Sequence, residues 1–144
     1  MRDFHLAFER RWPDGGPVAL AEHAAPDEPG ACVIGTADGT MLTYPWATSP
    51  VFYIGKAGNL SERLATHRRW TKEARQNYWD WWWPRYQFGA SFGADVAWFL
   101  AKPEEDPGAL EAALVNDFYQ RFGSIPVANR VWPQTPSGDD DLKA

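Results

Sequence analysis

Cysteine occurs once, at Cys32, which excludes an internal disulfide and fits a reducing compartment. No apolar run approaches the roughly 20 residues of a membrane-spanning helix, and none follows the first charges as a secretion signal would. A soluble, unsecreted, cytoplasmic protein is the expectation. Internal repeats are missing. Histidine is sparse, with three in the chain, and His5 and His23 have no neighbours in sequence that lift them above surface residues. Positive charge is in deficit overall, 14 Lys and Arg against 19 Asp and Glu, for a formal net charge of −5. That balance argues against a nucleic-acid surface spread over the whole molecule.

What the chain does have is tryptophan, nine in 144 residues, so aromatic packing or stacking must contribute. Its base is also clustered. Lys56, Arg63, Arg68, Arg69, Lys72, Arg75 and Arg85 fall in about a fifth of the chain, accompanied by only Glu62, Glu73 and Asp80. A basic face on an acidic body is the layout of a phosphate binder that steers its partner; a solvated helix face is the plainer reading.

At this length one domain is expected, with an extension (residues 1–28) packed on a core (residues 29–132) and an acidic disordered tail (residues 133–144). The central stretch is VFYIGKAGNLSERLATH, residues 51–67. Its first four residues are apolar, β-branched or aromatic, as in a buried strand. Gly55 ends the strand, Gly58-Asn59 turns, and Asn59 with Glu62 forms a capping box for a helix carrying Leu60, Leu64 and Ala65 inward. Arg63 and His67, four apart, share a face. A phenol, a Lys, an Arg and an imidazole thus gather near one helix start, which suits an anionic oxygen substrate.

Residues 31–36 form a strand expected to pair antiparallel with residues 51–55, across a longer return over 41–50 that contains Tyr44 and Trp46. A few helical residues are expected over 18–23, and a Trp-rich helix over 70–83 that Pro84 stops. A loop follows between Gly89 and Gly93, then an interior strand over 95–101. Asp106-Pro107 opens a helix over 108–122 that Gly123 closes. Its stripe is Leu110, Leu114, Phe118 and Phe122. Glu111 beside that stripe is a partly desolvated carboxylate that a hard divalent ion would stabilise; a rim glutamate paired with Arg121 is the ordinary alternative.

Taken together the segments PDEPGACVIG, FYIGKAGNLSERLATH and ALEAALVNDFYQRFGSIPVANR resemble the GIY-YIG nuclease superfamily, in order, over about a hundred residues. The resemblance implies an α+β fold, a small three-stranded antiparallel sheet flanked by helices. It implies a metal-dependent endonuclease acting on DNA, with RNA left open, and using Mg²⁺ or Mn²⁺. Tyr53 matches the tyrosine that activates or positions water, and Lys56 and Arg63 match the phosphate-holding cations. His67 falls where relatives place a His or Tyr, Glu111 matches the metal ligand and Asn129 the closing Asn. Arg68, Arg69, Lys72, Arg75 and Arg85 are the expected nucleic-acid contacts. The sequence departs from the pattern at Cys32, which stands where the first motif has Tyr. A thiol lacks a phenol's reach, so either a different hydroxyl, such as that of Tyr44 or Tyr86, takes over or the site is weakened or dead.

Two other readings stand beside this one: a nucleic-acid-binding module on the same fold, and a protein-interaction domain or homodimer built on Trp79, Trp81, Trp82 and Trp83. The nuclease reading requires folding to bring Glu111 close to Arg63 and Tyr53 across an open cleft.

Overall fold

Two strands of nearly unbroken apolar character, Gly30–Gly35 (β2) and Val51–Ala57 (β5), are buried along their whole length, which demands cover on both faces. A computed structural model of the chain shows how that cover is supplied. It describes residues 18–19, 25–36, 40–77, 84–93, 96–101 and 105–129. The described residues form an α+β fold. β2 pairs antiparallel with β5 on one side and with Val96–Ala101 (β6) on the other. The sheet has four strands rather than the expected three, because Val18–Ala19 (β1) pairs with β6 and gives the order β1-β6-β2-β5. Val18 and Ala19 are extended, not helical as the sequence suggested; pairing with β6 overrides a weak local preference.

The return between β2 and β5 contains a two-stranded ribbon, Leu42–Thr43 (β3) with Thr48–Ser49 (β4). Helix α1, Leu60–Gln76, is one continuous element running past Trp70. Asn59 caps it as expected, its side chain accepting from the Glu62 N–H at 3.0 Å. Leu60 and Leu64 face the core, joined by His67, Thr71 and Ala74, while Ala65 is only half-buried. The loop expected between Gly89 and Gly93 is instead part of helix α2, Pro84–Phe92. Proline stops a helix that precedes it but fits the first turn of one that follows, so Pro84 is a start signal here. Gly89 sits buried inside α2, which packs against α1. Helix α3, Pro107–Phe122, has the expected Asp106 cap at 2.9 Å and a left-handed Gly123 at its end. Leu110, Leu114, Phe118 and Phe122 are all buried.

Alternation along the strands sorts these helices onto opposite faces. Ala31, Val33 and Ile54 cluster with Leu110, Leu114, Val115, Phe118 and Phe122 of α3. Cys32, Ile34, Tyr53 and Ala57 cluster with Leu60 and Leu64 of α1. The sheet is therefore a layer between α3 and the α1–α2 pair. Among the described residues no helix is long and apolar enough to cross a membrane. The tryptophans at 79 and 81–83, the segment 1–17 and the tail 133–144 lie outside the described residues.

Candidate functional site

Tyr53 projects from β5 toward α1 and α2, and its ring leans along the strand over Gly55. A Cβ at residue 55 would stand 2.6 Å from the phenol oxygen, so only glycine leaves room for this rotamer. Arg85 of α2 donates from Nη1 to that oxygen at 2.6 Å, and its guanidinium carbon lies 5.0 Å from the Tyr53 ring and 5.2 Å from the Tyr86 ring. His67 of α1 completes the group, 5.3 Å from the Tyr53 ring and 5.4 Å from the Tyr86 ring. All four side chains are buried; His67 is 1 % exposed, Arg85 4 %, Tyr86 4 % and Tyr53 5 %.

Burial holds the His67 imidazole well below its usual pKa, and the positive charges of Arg85 and Arg63 push the same way. It is neutral at neutral pH, and its Nε2 has no hydrogen-bond partner among the described residues. A guanidinium has donors only, so the Tyr53 oxygen is the acceptor in its bond to Arg85 and its own proton points elsewhere. Arg85 is thus not a surface phosphate contact as the charge cluster suggested. The cations that remain on the surface are Arg68, Arg69, Lys72 and Arg75, exposed along one face of α1.

Arg63, one turn before His67, is half-buried at the beginning of α1. The helix start itself is closed to an anion. The N–H groups of Leu60 and Ser61 donate to the carbonyls of Glu28 and Pro26, at 2.9 and 3.2 Å, and that of Glu62 donates to Asn59. Any anion held here is held by side chains, not by free backbone donors. Gly58, in the turn before α1, has nothing near its Cβ position and marks open space at the end of β5.

Lys56 and Glu111 belong to the other face. Lys56 alternates with Gly55 and Ala57 and stands opposite Ala31, whose side chain packs with α3. Glu111 lies on the buried stripe of α3, 8 % exposed, and Lys56 is equally covered. The expected cleft joining Glu111 to Arg63 and Tyr53 on one face is corrected by the sheet: the phenol and the carboxylate flank β5 from its two sides. Among the described residues β5 is the last strand on one side of the sheet.

Asn129 occupies that edge. Its Nδ2 donates to the Ile54 carbonyl at 2.8 Å and its Oδ1 accepts from the Ile54 N–H at 3.0 Å. The Ala128 N–H adds a bond to the Phe52 carbonyl at 2.8 Å. An edge strand's unpaired groups are satisfied this way without a further strand.

Of the two hydroxyls offered to replace the missing first-motif phenol, Tyr44 is committed to structure. It packs on the α3 side, donates to the Val51 carbonyl at 2.6 Å and accepts from the Val127 N–H at 3.1 Å. Tyr86 stands on the Tyr53 side beside His67. Cys32 is fully buried opposite Gly55, on the face that carries Tyr53. Sequence reasoning missed the Arg85–Tyr53 pair; reading Pro84 as a helix start would have placed Arg85 and Tyr86 in the first turn of α2, an element that packs on α1.

For a metal, the described residues contain no group of three or more His, Cys, Asp or Glu side chains placed to share an ion. Glu111 provides a hard, largely desolvated oxygen donor, which suits an ion that keeps most of its waters rather than one caged by protein. No protein-family model, curated protein or solved structure matches this chain.

Proposed function

We propose that the chain is a metal-dependent endonuclease of the GIY-YIG type that hydrolyses phosphodiester bonds in DNA, its β6-β2-β5 core being the three-stranded sheet of that family. The observation that carries this reading is the clamp of Asn129 on Ile54, two residues 75 positions apart. It draws the closing Asn, which follows the Glu111 helix, onto the middle of the tyrosine strand. The specific block from Phe52 to His67 and two stretches that are weak alone thereby meet at β5.

In this reading the substrate phosphate lies at the open end of β5 near Gly58, with Arg63 and Lys56 approaching from the two faces. Arg63 offers a fork of donors to two phosphate oxygens, and negative charge building on those oxygens strengthens the bonds. Tyr53, its oxygen fixed by Arg85, orients the attacking water. The water oxygen bonds to phosphorus and gives up a proton, one P–O ester bond breaks, and the released oxygen takes up a proton in exchange, so none is consumed overall. A Mg²⁺ or Mn²⁺ ion held by Glu111 would supply charge stabilisation for that leaving oxygen. The exposed cations of α1 contact flanking backbone phosphates.

A second reading has specific observations in its favour: Glu111 lies across the sheet from Tyr53, against the single cleft that the nuclease reading required, and α2 covers Tyr53 with Cys32 in place of the first phenol. A module on this fold that binds nucleic acid without cutting it accounts for both. Nicking of supercoiled plasmid in Mg²⁺ or Mn²⁺ separates the two. The nuclease reading expects relaxed and linear products from the wild type and none from Glu111→Ala or Arg63→Ala. Retained binding with no cutting of any DNA or RNA selects the second reading.

A further inference from the structure

Helix α1 carries its positive charge along one side. Leu64, His67, Thr71 and Ala74 turn to the core. Arg68, Lys72 and Arg75, at i, i+4 and i+7, are exposed on a neighbouring face, with Arg69 beside them. The Arg69 guanidinium carbon lies 4.9 Å from the Trp70 ring. Like charges one turn apart repel, so an anion laid against this face stabilises it. The nearest acids in the chain serve the other end of the helix. Glu62 stands in the first turn, and the Glu28 carbonyl accepts from the Leu60 N–H. Glu105 and Asp106 adjoin the start of α3, across the sheet from α1.

An anion within reach belongs to the chain itself. The Ala128 N–H is tied to Phe52 and the Asn129 side chain to Ile54, so this stretch advances along β5 in the strand's own direction. It leaves residue 129 heading for the end of β5 that α1 follows. Asp139, Asp140 and Asp141 come ten positions later, after Pro133, Pro136, Ser137 and Gly138, which is the composition of a linker. Ten residues span up to about 33–36 Å. That exceeds the roughly 25 Å length of a helix of 17 residues such as α1. Every cation on the exposed face therefore lies within the tether's range.

We infer that residues 139–141 dock on the face of α1 that carries Arg68, Arg69, Lys72 and Arg75, three tethered carboxylates standing where the phosphates of a polyanion would stand. A single exposed ion pair contributes little. Tethering changes that balance, because it holds the carboxylates near the helix at an effective concentration on the order of millimolar and lets several pairs form together. A separate acidic peptide has the same chemistry without this advantage. The contact itself stands apart from the nucleic-acid reading above, and its consequence rests on that reading. A nucleic acid that binds α1 must displace the acidic segment, so the segment acts as a built-in competitor.

The test treats the full-length chain with a water-soluble carbodiimide, which joins a carboxylate directly to an amine in contact with it, and locates the joined peptides by mass spectrometry. The expected product links Lys72 to one of residues 139–141, and within one molecule when isotope-labelled and unlabelled chains are mixed. Its yield should fall by about fivefold or more in high salt, and by as much on addition of saturating duplex DNA. Arg68→Glu with Arg75→Glu leaves the reacting groups in place and should lower the yield similarly, with circular dichroism showing the variant folded. Binding of the duplex is followed separately by fluorescence anisotropy. Reaction of residues 139–141 with Lys143 but not with Lys72 overturns the docking and leaves the nucleic-acid reading intact. A Lys72 product that bound duplex does not diminish overturns the competition. A Lys72 product in a chain that binds no duplex upholds the docking and overturns the nucleic-acid reading.

Discussion

Arg85 of α2 donates to the phenol oxygen of Tyr53 across 32 positions of sequence, at 2.6 Å, with both residues buried. The bond fixes where the Tyr53 oxygen stands, and it explains why a cation can lie inside the fold: it is hydrogen-bonded and lies against two aromatic rings. Arg85→Met keeps the volume of the stem but removes the donor. Urea unfolding should show a loss of about 1.5–3 kcal/mol, the range for a hydrogen bond to a charged group. A change under about 0.5 kcal/mol would mean that Arg85 does not order Tyr53.

Gly55→Ala tests the same geometry from the strand. The added carbon would fall 2.6–2.9 Å from three atoms of the Tyr53 side chain, so the ring must swing off Arg85. Thermal unfolding should register a cost of about 1–3 kcal/mol. Combined with Arg85→Met the losses should be less than additive, because both act through one hydrogen bond.

His67 gives a pH signature. Its folded-state pKa is depressed far below 6.5, so the unfolded chain binds the proton more readily. Stability is then fully present above about pH 6.5 and falls as pH drops below that value, by at most about 1.4 kcal/mol per unit. His67→Leu should lose this component. Denaturation at pH 7.5 and pH 5 should show a smaller acid-side decline in the variant; an identical decline would place the proton uptake elsewhere.

Tyr44 acts at the opposite end of the scale. Burial raises its pKa to about 12, partly offset by the Val127 N–H that bonds its oxygen. The folded protein therefore keeps that proton longer than the unfolded chain does. Stability tied to Tyr44 is present below pH 10 and is lost between 10 and 12. Tyr44→Phe should abolish that alkaline decline while costing about 1–2 kcal/mol at neutral pH, from the bonds to Val51 and Val127.

Several features were legible in the chain because their causes are local. The Asn59 and Asp106 caps, the left-handed Gly123 and the stripe of α3 follow from short-range rules, and the structure shows each. The pairing of β2 with β5 followed from two apolar runs joined by a return. What the sequence concealed depended on partners distant in the chain. Nothing local marks Arg85 as buried; it looks like its basic neighbours until α2 folds onto Tyr53. Spacing could not tell which face of the sheet α3 would cover, so the division of Lys56 and Glu111 from Tyr53 and His67 came only with the topology. The closure of the α1 start by Glu28 and Pro26 was hidden for the same reason.

The surface cations of α1 make a separate prediction about salt. If Arg68 and Lys72 each meet a backbone phosphate, Arg68→Ala with Lys72→Ala should flatten the plot of log affinity against log salt. The slope should fall by roughly 0.7–0.9 for each phosphate no longer neutralised. An unchanged slope would move the binding surface off α1.

The decisive measurement is plasmid nicking by the wild type and by Glu111→Gln, in Mn²⁺ and in chelator, with both proteins shown to be folded. The proposed mechanism predicts metal-dependent nicking by the wild type and none by the variant. Equal nicking by the two proteins, or nicking undiminished by chelator, would contradict it.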